Sequence, residues 1–331
     1  MSELVPNRQQ HNIRWHLLAS VSALALAAGL VAAPAANADD QNHFSIELGG
    51  QYGFEAGGST EWFGVVPPSG GEGFFTGVNA NDFRSAPKHS WNIDGVAKFQ
   101  PAGTDLIFRV GVQYGRTKSE SKNFAFTYYT STDGGDVYYI NGHSRHKEEH
   151  VRVDFQVGKD FGLGMFGNNS GTSIFSAGIR YAQLNARTDI FFATTKYNNS
   201  NYNGTGTGIV TRRFSGVGPM ISWEASAPIS DDGFSLDWGA EGAVLFGRQK
   251  TYFAITYSDG YTEGGARHRS RTVPEIGGFM GLSWTCPDAP AKFTLGYKVD
   301  ALFHVYDGGF FTPVDVDRVT HGPFAKVGIS F

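Results

Sequence analysis

The chain has 331 residues and one cysteine, Cys286, so no disulfide can form within it. Charge is also scarce: Asp, Glu, Lys and Arg make up 18% of the sequence, with a formal net charge of −4. Leaving out residues 1–38, which carry Arg8, Arg14 and Glu3, takes that charge to −5. Mild acidity argues against nucleic acid as a partner, because phosphate binding needs a basic footprint. Past Ala33 no long apolar run remains, which excludes a bundle of membrane-spanning helices. No serine elbow and no convincing acid/base pair is present, so an enzyme finds little support.

The one long apolar run lies at the start. Arg8 and Arg14 provide a positive region, Leu17 to Ala33 is uncharged and apolar, and Ala36-Asn37-Ala38 has the A-x-A form of a cleavage site. Residues 1–38 are expected to be a cleaved secretory signal peptide, with 39–331 the mature domain. No cysteine follows the site, which disfavours a lipid anchor.

The mature part is rich in glycine and aromatics: 44 Gly and 27 Phe in all, 14% aromatic residues, and a mean hydropathy of −0.25. That combination suits a β-barrel whose lipid face is hidden from hydropathy scans by an alternating polar face. The pattern is clearest in the last stretch, Asp317 to Phe331. There Val319, Pro323, Ala325, Val327, Ile329 and Phe331 take every second position and polar or small residues fill the other set. Period two is the signature of a strand with one apolar face. The ending resembles the C-terminal strand of bacterial outer-membrane proteins, and that resemblance implies an assembly signal at Val327, Ile329 and Phe331.

The fold class expected is all-β: a transmembrane antiparallel up-and-down barrel of about ten strands, with eight or twelve as alternatives. Short turns face the periplasm and long loops face outward. The strands are expected at His43 to Glu55, His89 to Gln100, Asp105 to Thr117, Arg145 to Lys159, Thr172 to Ala186, Arg212 to Ala227, Phe234 to Arg248, Arg271 to Cys286, Ala291 to Tyr306 and Asp317 to Phe331. The loop from Ala56 to Lys88 carries Pro67-Pro68 and Gly70-Gly71, strong breakers. The segment Arg187 to Thr211, with YNNSNYNGTGTG, reads as an exposed polar loop. The third strand's pattern continues through Phe124, Phe126 and Tyr128. Phe124 to Tyr129 and Val137 to Ile140 are able to pair within their own loop, which keeps twelve strands open.

Strand parity places Phe99, Trp223, Trp284, Phe293 and Phe331 at a periplasmic aromatic girdle and Trp91, Tyr114, Phe246 and Phe303 at an outer one. Pro219, Pro274 and Pro323 fall inside strands and are expected to need bulges or strand ends. In the last strand His321 lies on the nominal lipid face and Phe324 on the lumen face. A bulge near Gly322-Pro323 is the expected remedy.

Two motif matches fail on context. Gly162, Gly164 and Gly167 spell G-x-G-x-x-G, but a strand rather than a nucleotide-binding helix follows. His146, Glu149 and His150 spell H-x-x-E-H. On a strand the two histidines lie about 13 Å apart, too far for one zinc ion.

The inward positions are expected to carry Asp94, Lys98, Arg109, Arg152, Asp154, Arg180, Asp237, Glu241, Glu275, Lys298, Asp300, Arg318 and Lys326. Facing acidic and basic groups of this kind set a transverse field in a pore, or pair with each other as a polar plug. Both readings stand on the residues alone.

Several segments point to one family. FSGVGPMISWEASAPI, WGAEGAVLFGRQ, SAGIRYAQ at Ser176 to Gln183, FTLGYKVDALFHV and DRVTHGPFAKVGISF are similar to the pore-forming major outer-membrane proteins typified by that of Legionella. The resemblance covers about the C-terminal half. It implies a porin-like barrel in the bacterial outer membrane that passes ions or small solutes, and it supplies no catalytic residues. The alternatives are a closed structural or adhesive barrel whose loops bind a partner, or a barrel enzyme using His143, His146, His150, Glu148, Glu149, Asp133 and Asp136 at the rim. The expected partners are outer-membrane lipid and lipopolysaccharide, the barrel-assembly machinery, and small solutes or ions. No cofactor and no metal is expected.

Overall fold

Alternation of side chains along the sequence becomes inside-out alternation in the computed structural model, which describes residues 42–62, 73–76, 83–104, 106–130, 137–161, 171–197, 202–309 and 313–331. The segment 1–38 expected to be a signal peptide, the Pro67-Pro68 stretch and Gly162, Gly164 and Gly167 lie outside the described residues. Ten strands form the barrel: β1 His43–Gly57, β2 His89–Gln100, β3 Leu106–Thr117, β4 Val137–Asp160, β5 Thr172–Tyr197, β6 Tyr202–Pro228, β7 Phe234–Tyr257, β8 Thr262–Thr285, β9 Ala291–Asp307 and β10 Asp315–Ser330. All neighbours are antiparallel, and β10 pairs with β1, from Ser45↔Ser330 to Gly57↔Arg318, which closes the barrel. No described helix is long and apolar enough to cross a membrane.

Apolar side chains are outside and charges inside, the reverse of a soluble core. Ile221 and Leu295 are each 68% exposed, while Arg180 is 2% exposed. That inversion identifies the outer wall as the lipid face. Tight turns sit at the end that holds His43 and Phe331. One is closed by Ile229 N–H donating to Phe234 C=O at 2.8 Å. Gly233 completes it at φ 86°, where a Cβ would meet the Thr285 carbonyl at 2.5 Å.

Aromatic rings gather at both ends of the lipid face. Phe44 and Phe331, Trp284 and Phe293, and Phe175 and Trp223 pair at the turn end, with centroids 6.1, 6.1 and 5.8 Å apart. Trp91 and Tyr114 meet at 5.6 Å near the other.

Several expectations are corrected, and one, the pairing of Phe124 to Tyr129 with Val137 to Ile140, is met. Arg187 to Thr211 is not a loop: β5 and β6 continue as a paired hairpin from Arg187↔Thr211 to Lys196↔Tyr202. Its inward Ile190, Phe192 and Val210 are buried, and that apolar row supports the extension. The strand limits at Arg145, Arg248 and Arg271 are likewise too short, since β4 begins at Val137, β7 runs to Tyr257 and β8 starts at Thr262. Glu120–Thr130 carries on the line of β3 and pairs with upper β4, as Tyr128↔Tyr138 shows. The pairing of this loop therefore heightens one hairpin and adds no membrane strand.

The bulge is elsewhere than Gly322-Pro323. Register runs without a shift through Tyr297↔Pro323 and Val299↔His321, and breaks instead between Leu302 and Tyr306. There His304 takes φ 57° and its N–H donates to Asp317 Oδ1 at 2.7 Å. This turns His304 out to solvent and buries Val305, the reverse of the expected phase.

Pro219 and Pro323 need no bulge: each ladder opens briefly on one side and keeps its register on the other, with Pro219 paired to Ile179 and Pro323 to Tyr297. Pro274 keeps its pair with Val244 on β7, but on its other side the β8–β9 ladder ends at Glu275↔Leu302, where β9 bulges.

Candidate functional site

The inward row of every strand meets in the lumen, and the lumen is layered. Near the periplasmic end, Lys98 Nζ lies 2.8 Å from Glu47 and 3.1 Å from Glu224. Lys326 reaches Glu47 at 2.8 Å, and Arg109 pairs with Glu224. Asp237 accepts from Lys292 at 2.7 Å and from Ser226 at 2.6 Å. Strands β1, β2, β3, β6 and β10 are thereby tied across the bore. A cavity of about 140 Å³ remains beside this layer, lined by Ser45, Lys98, Ser226, Asp237 and Lys292 among others.

The middle layer is denser. Arg180 of β5 contacts Asp154 at 2.7 Å, Glu275 at 2.8 Å and Glu241 at 3.0 Å. Arg152 of β4 pairs with Glu275 and lies 3.1 Å from Asp300, which also takes Lys298 at 3.2 Å. Two guanidiniums on β4 and β5 thus face carboxylates on β7, β8 and β9, with Asp154 on their own side. Ions removed from water stand only when paired, and these are. Glu241, Glu275 and Asp300 bring oxygens within 4.8 Å of one another, but the positive charge at that point already comes from Arg152, Arg180 and Lys298.

Above this the lumen changes character. Leu184, Phe214, Met220, Leu245, Val273, Leu302, Val305 and Tyr306 form one apolar cluster in which no member is more than 7% exposed. Phe214 fits because the inward positions beside it are glycine: a Cβ on Gly216 would meet its ring at 2.6 Å, and one on Gly247 at 2.8 Å. On the other side of the bore, Arg318 of β10 donates to Glu148 of β4 at 2.6 and 2.8 Å. Glu148 also bonds His146 at 2.9 Å. The layer is an apolar plug from β5–β9 with a buried ion pair beside it, and a cavity of about 30 Å³ between them is lined by Glu148, Leu184, Leu302, Tyr306 and Arg318.

A cap closes the top. Trp62 and Phe83, from the first loop, pack on Phe124, Phe126, Ile190, Phe192, Val210 and Ile255. Arg212 of β6 pins the loops beneath it, donating to the carbonyls of Asp307 at 2.6 Å, Gly308 at 3.3 Å and Glu61.

All thirteen residues expected to point inward do so. Asp94 lines a cavity of about 80 Å³ with Arg109, Glu241 and Lys326. The inward set also holds Glu47, Glu224 and Arg212, which sequence reasoning passed over, and Glu148, which it placed at the rim. Glu47 and Glu224 were visible as the polar alternates of Leu48 and Trp223, whereas the carbonyl partners of Arg212 leave no mark in the sequence. Val327, Ile329 and Phe331 lie on the lipid face, 39%, 41% and 57% exposed. Of the supposed rim, His146 is buried beside Glu148 while Glu149 turns outward to Arg116 at 3.4 Å, so the H-x-x-E-H residues do not converge. Asp133 and Asp136 lie outside the described residues.

Residues 78–331 match the family model described as Legionella pneumophila major outer membrane protein precursor, and the chain belongs to that family. No curated protein matches it. Among solved structures, the outer membrane protease OmpT from Escherichia coli is 10% identical over 90% of this chain and 99% of its own, with a TM-score of 0.44. A major outer membrane protein from Thermus thermophilus is 11% identical over 88% and 99%, with a TM-score of 0.32. At those scores neither carries an argument about activity.

Proposed function

Taking membership of this outer-membrane family as the premise, we propose that the chain is a porin-like barrel that is shut in this conformation and passes ions or small solutes only when its apolar plug gives way. The observation that carries this reading is the layered lumen. Charged groups of both signs line the lower bore and pair across it, so a polar path there needs only ion pairs to part, whereas the layer above is apolar. The plug and cap above them leave the bore closed. Ten strands give a lumen that side chains are able to fill, unlike the broad channels of sixteen-stranded porins. The path opens by displacing the plug side chains and the cap above them. No bond is made or broken in this function, and no cofactor enters it. Val327, Ile329 and Phe331 serve as the segment that the assembly machinery reads.

A second reading has its own support. The hairpins above the belt expose Phe191, Tyr139 and Tyr261 at 42%, 44% and 61%, the features of a closed scaffold that binds a partner.

Planar-bilayer recording separates the two. Wild-type protein is expected to give rare, small openings, and Phe214→Ala with Leu245→Ala to raise the mean conductance about tenfold by unblocking the bore. Neutralising Arg109 and Arg152 in that background shifts the reversal potential toward cations. If the plug variant stays silent while its barrel is folded and heat-modifiable, the pore reading fails and the scaffold reading stands.

A further inference from the structure

The outer wall just above the apolar belt is electrically lopsided. On β3 to β5 most outward cations are neutralised locally: Arg116 by Glu149 at 3.4 Å, Lys147 by the same carboxylate at 3.9 Å, and Arg187 by Asp189 at 2.6 Å, while Arg145 donates to Ser119 Oγ at 2.8 Å and stands opposite Asp189. On β6 to β8 they are not. Register sets Arg213 of β6 opposite Lys250 of β7, and Lys250 opposite His268 of β8, in one row across three strands. Arg248 sits two residues below Lys250 on the same face. Neighbouring strands are about 4.8 Å apart, so four basic side chains share one small patch. Arg248, Lys250 and His268 are exposed. Arg213 donates at 2.5 Å to the neutral amide of Gln183, and no ion pair with a carboxylate is formed by any of the four among the described residues.

Immediately below the patch the wall is apolar, with Phe246 57% and Val217 49% exposed. Ser215 and Ser270 flank Arg248 at its own level, as hydroxyl donors. A ligand that fits must therefore carry negative charge above and hydrocarbon below, at the depth of the headgroups.

We infer that this face of β6 to β8 is a binding site for a phosphorylated glycolipid of the outer leaflet, that is, lipopolysaccharide held by its lipid A phosphates over Arg213, Arg248 and Lys250 with its acyl chains on Val217 and Phe246. Arginine is suited to the role because its fork binds phosphate oxygens in pairs, and unpaired cations at an anionic surface gain most where no protein carboxylate competes. The site lies on the outside of the barrel. It depends on the outer-membrane location given by the family and is indifferent to whether the lumen conducts.

The test is native mass spectrometry of the full barrel, titrated with bisphosphorylated lipid A, dephosphorylated lipid A and phosphatidylglycerol as separate probes. Wild type is expected to retain bisphosphorylated lipid A and to lose it when the phosphates are removed. The R248Q/K250Q variant should bind it about 30-fold more weakly, from about five-fold per basic residue removed. An R116Q/E149Q variant on the paired side should bind as wild type does, and heat-modifiable migration checks that each variant is folded. Equal retention of phosphatidylglycerol, or unchanged affinity in a folded R248Q/K250Q barrel, overturns the assignment.

Discussion

The lower and upper halves of the lumen are built by the same strands with the same alternation, yet they are filled by opposite chemistry. On β6 the inward row runs from Glu224 and Ser222 in the lower bore to Met220, then through Gly218 and Gly216 to Phe214, Arg212 and Val210 above. On β8 it runs from Glu275 to Val273. The lower half holds strands together across the bore by ion pairs that must all be satisfied at once. The upper half does so by close packing. The contrast teaches that a barrel's strand count fixes only how much room there is. The residues on one parity decide, layer by layer, whether that room is filled by ion pairs or by apolar side chains.

Breaking the lower half should cost most. Arg180→Met leaves Asp154, Glu241 and Glu275 without their shared guanidinium, and removing one member of a buried ionic group costs about 3–5 kcal/mol. Urea unfolding of the barrel in micelles would register that as a lower midpoint with an unchanged slope. Adding Glu275→Gln should return part of the loss, because the uncompensated charge is then gone.

In the upper half, Leu245→Ala removes a fully buried side chain from the plug, for about 2–5 kcal/mol by the same assay. Here a compensating mutation on the ionic side should restore nothing. If it did, the two layers would be one coupled network instead of two independent ones.

Trp62→Ala is expected to act locally. The cap ring is fully buried, but it belongs to a loop, so protease cleavage near residues 58–62 should accelerate while the unfolding midpoint of the barrel shifts by less than about 0.5 kcal/mol. On the unfolding midpoint, the lipid face of the closing strand falls between the plug and the cap. Tyr297→Phe removes the 2.6 Å hydrogen bond between Tyr297 Oη and His321 Nδ1 and should cost about 1 kcal/mol.

That last pair also marks what was legible beforehand. Alternation alone gave the barrel, about ten strands with eight or twelve as alternatives, and the parity of His321 and Phe324. Both of those breaks in the rhythm are real. His321 is kept on the lipid face by Tyr297, and Phe324 points into the lumen against Phe279 with centroids 5.9 Å apart. A bulge was inferred there because the stabilising neighbours come from other strands, which a single row of residues does not show.

The true bulge was hidden for the opposite reason. Ala301, Leu302, Phe303, Val305 and Tyr306 are apolar on both parities, so no phase change is visible in the sequence. The tall β5–β6 hairpin was missed because its small and polar residues, Gly204, Thr205, Gly206 and Thr207, read as loop. What makes it a strand is burial of Ile190, Phe192 and Val210 under Trp62, a contact made through a distant loop. Of the site, the charged residues were legible and their partners were not: Lys98 and Glu224 lie 126 positions apart.

The shut lumen is tested most directly by sidedness. With Cys286 replaced by serine, a cysteine at Ser226 reports on the cavity at the periplasmic end, and a charged, membrane-impermeant thiol reagent reports on access. Labelling should occur from the periplasmic side in disrupted cells, be absent from outside in intact cells, and appear from outside once Phe214→Ala and Leu245→Ala are added. Rapid labelling from outside in the otherwise unaltered barrel would show that the apolar layer is not a stopper.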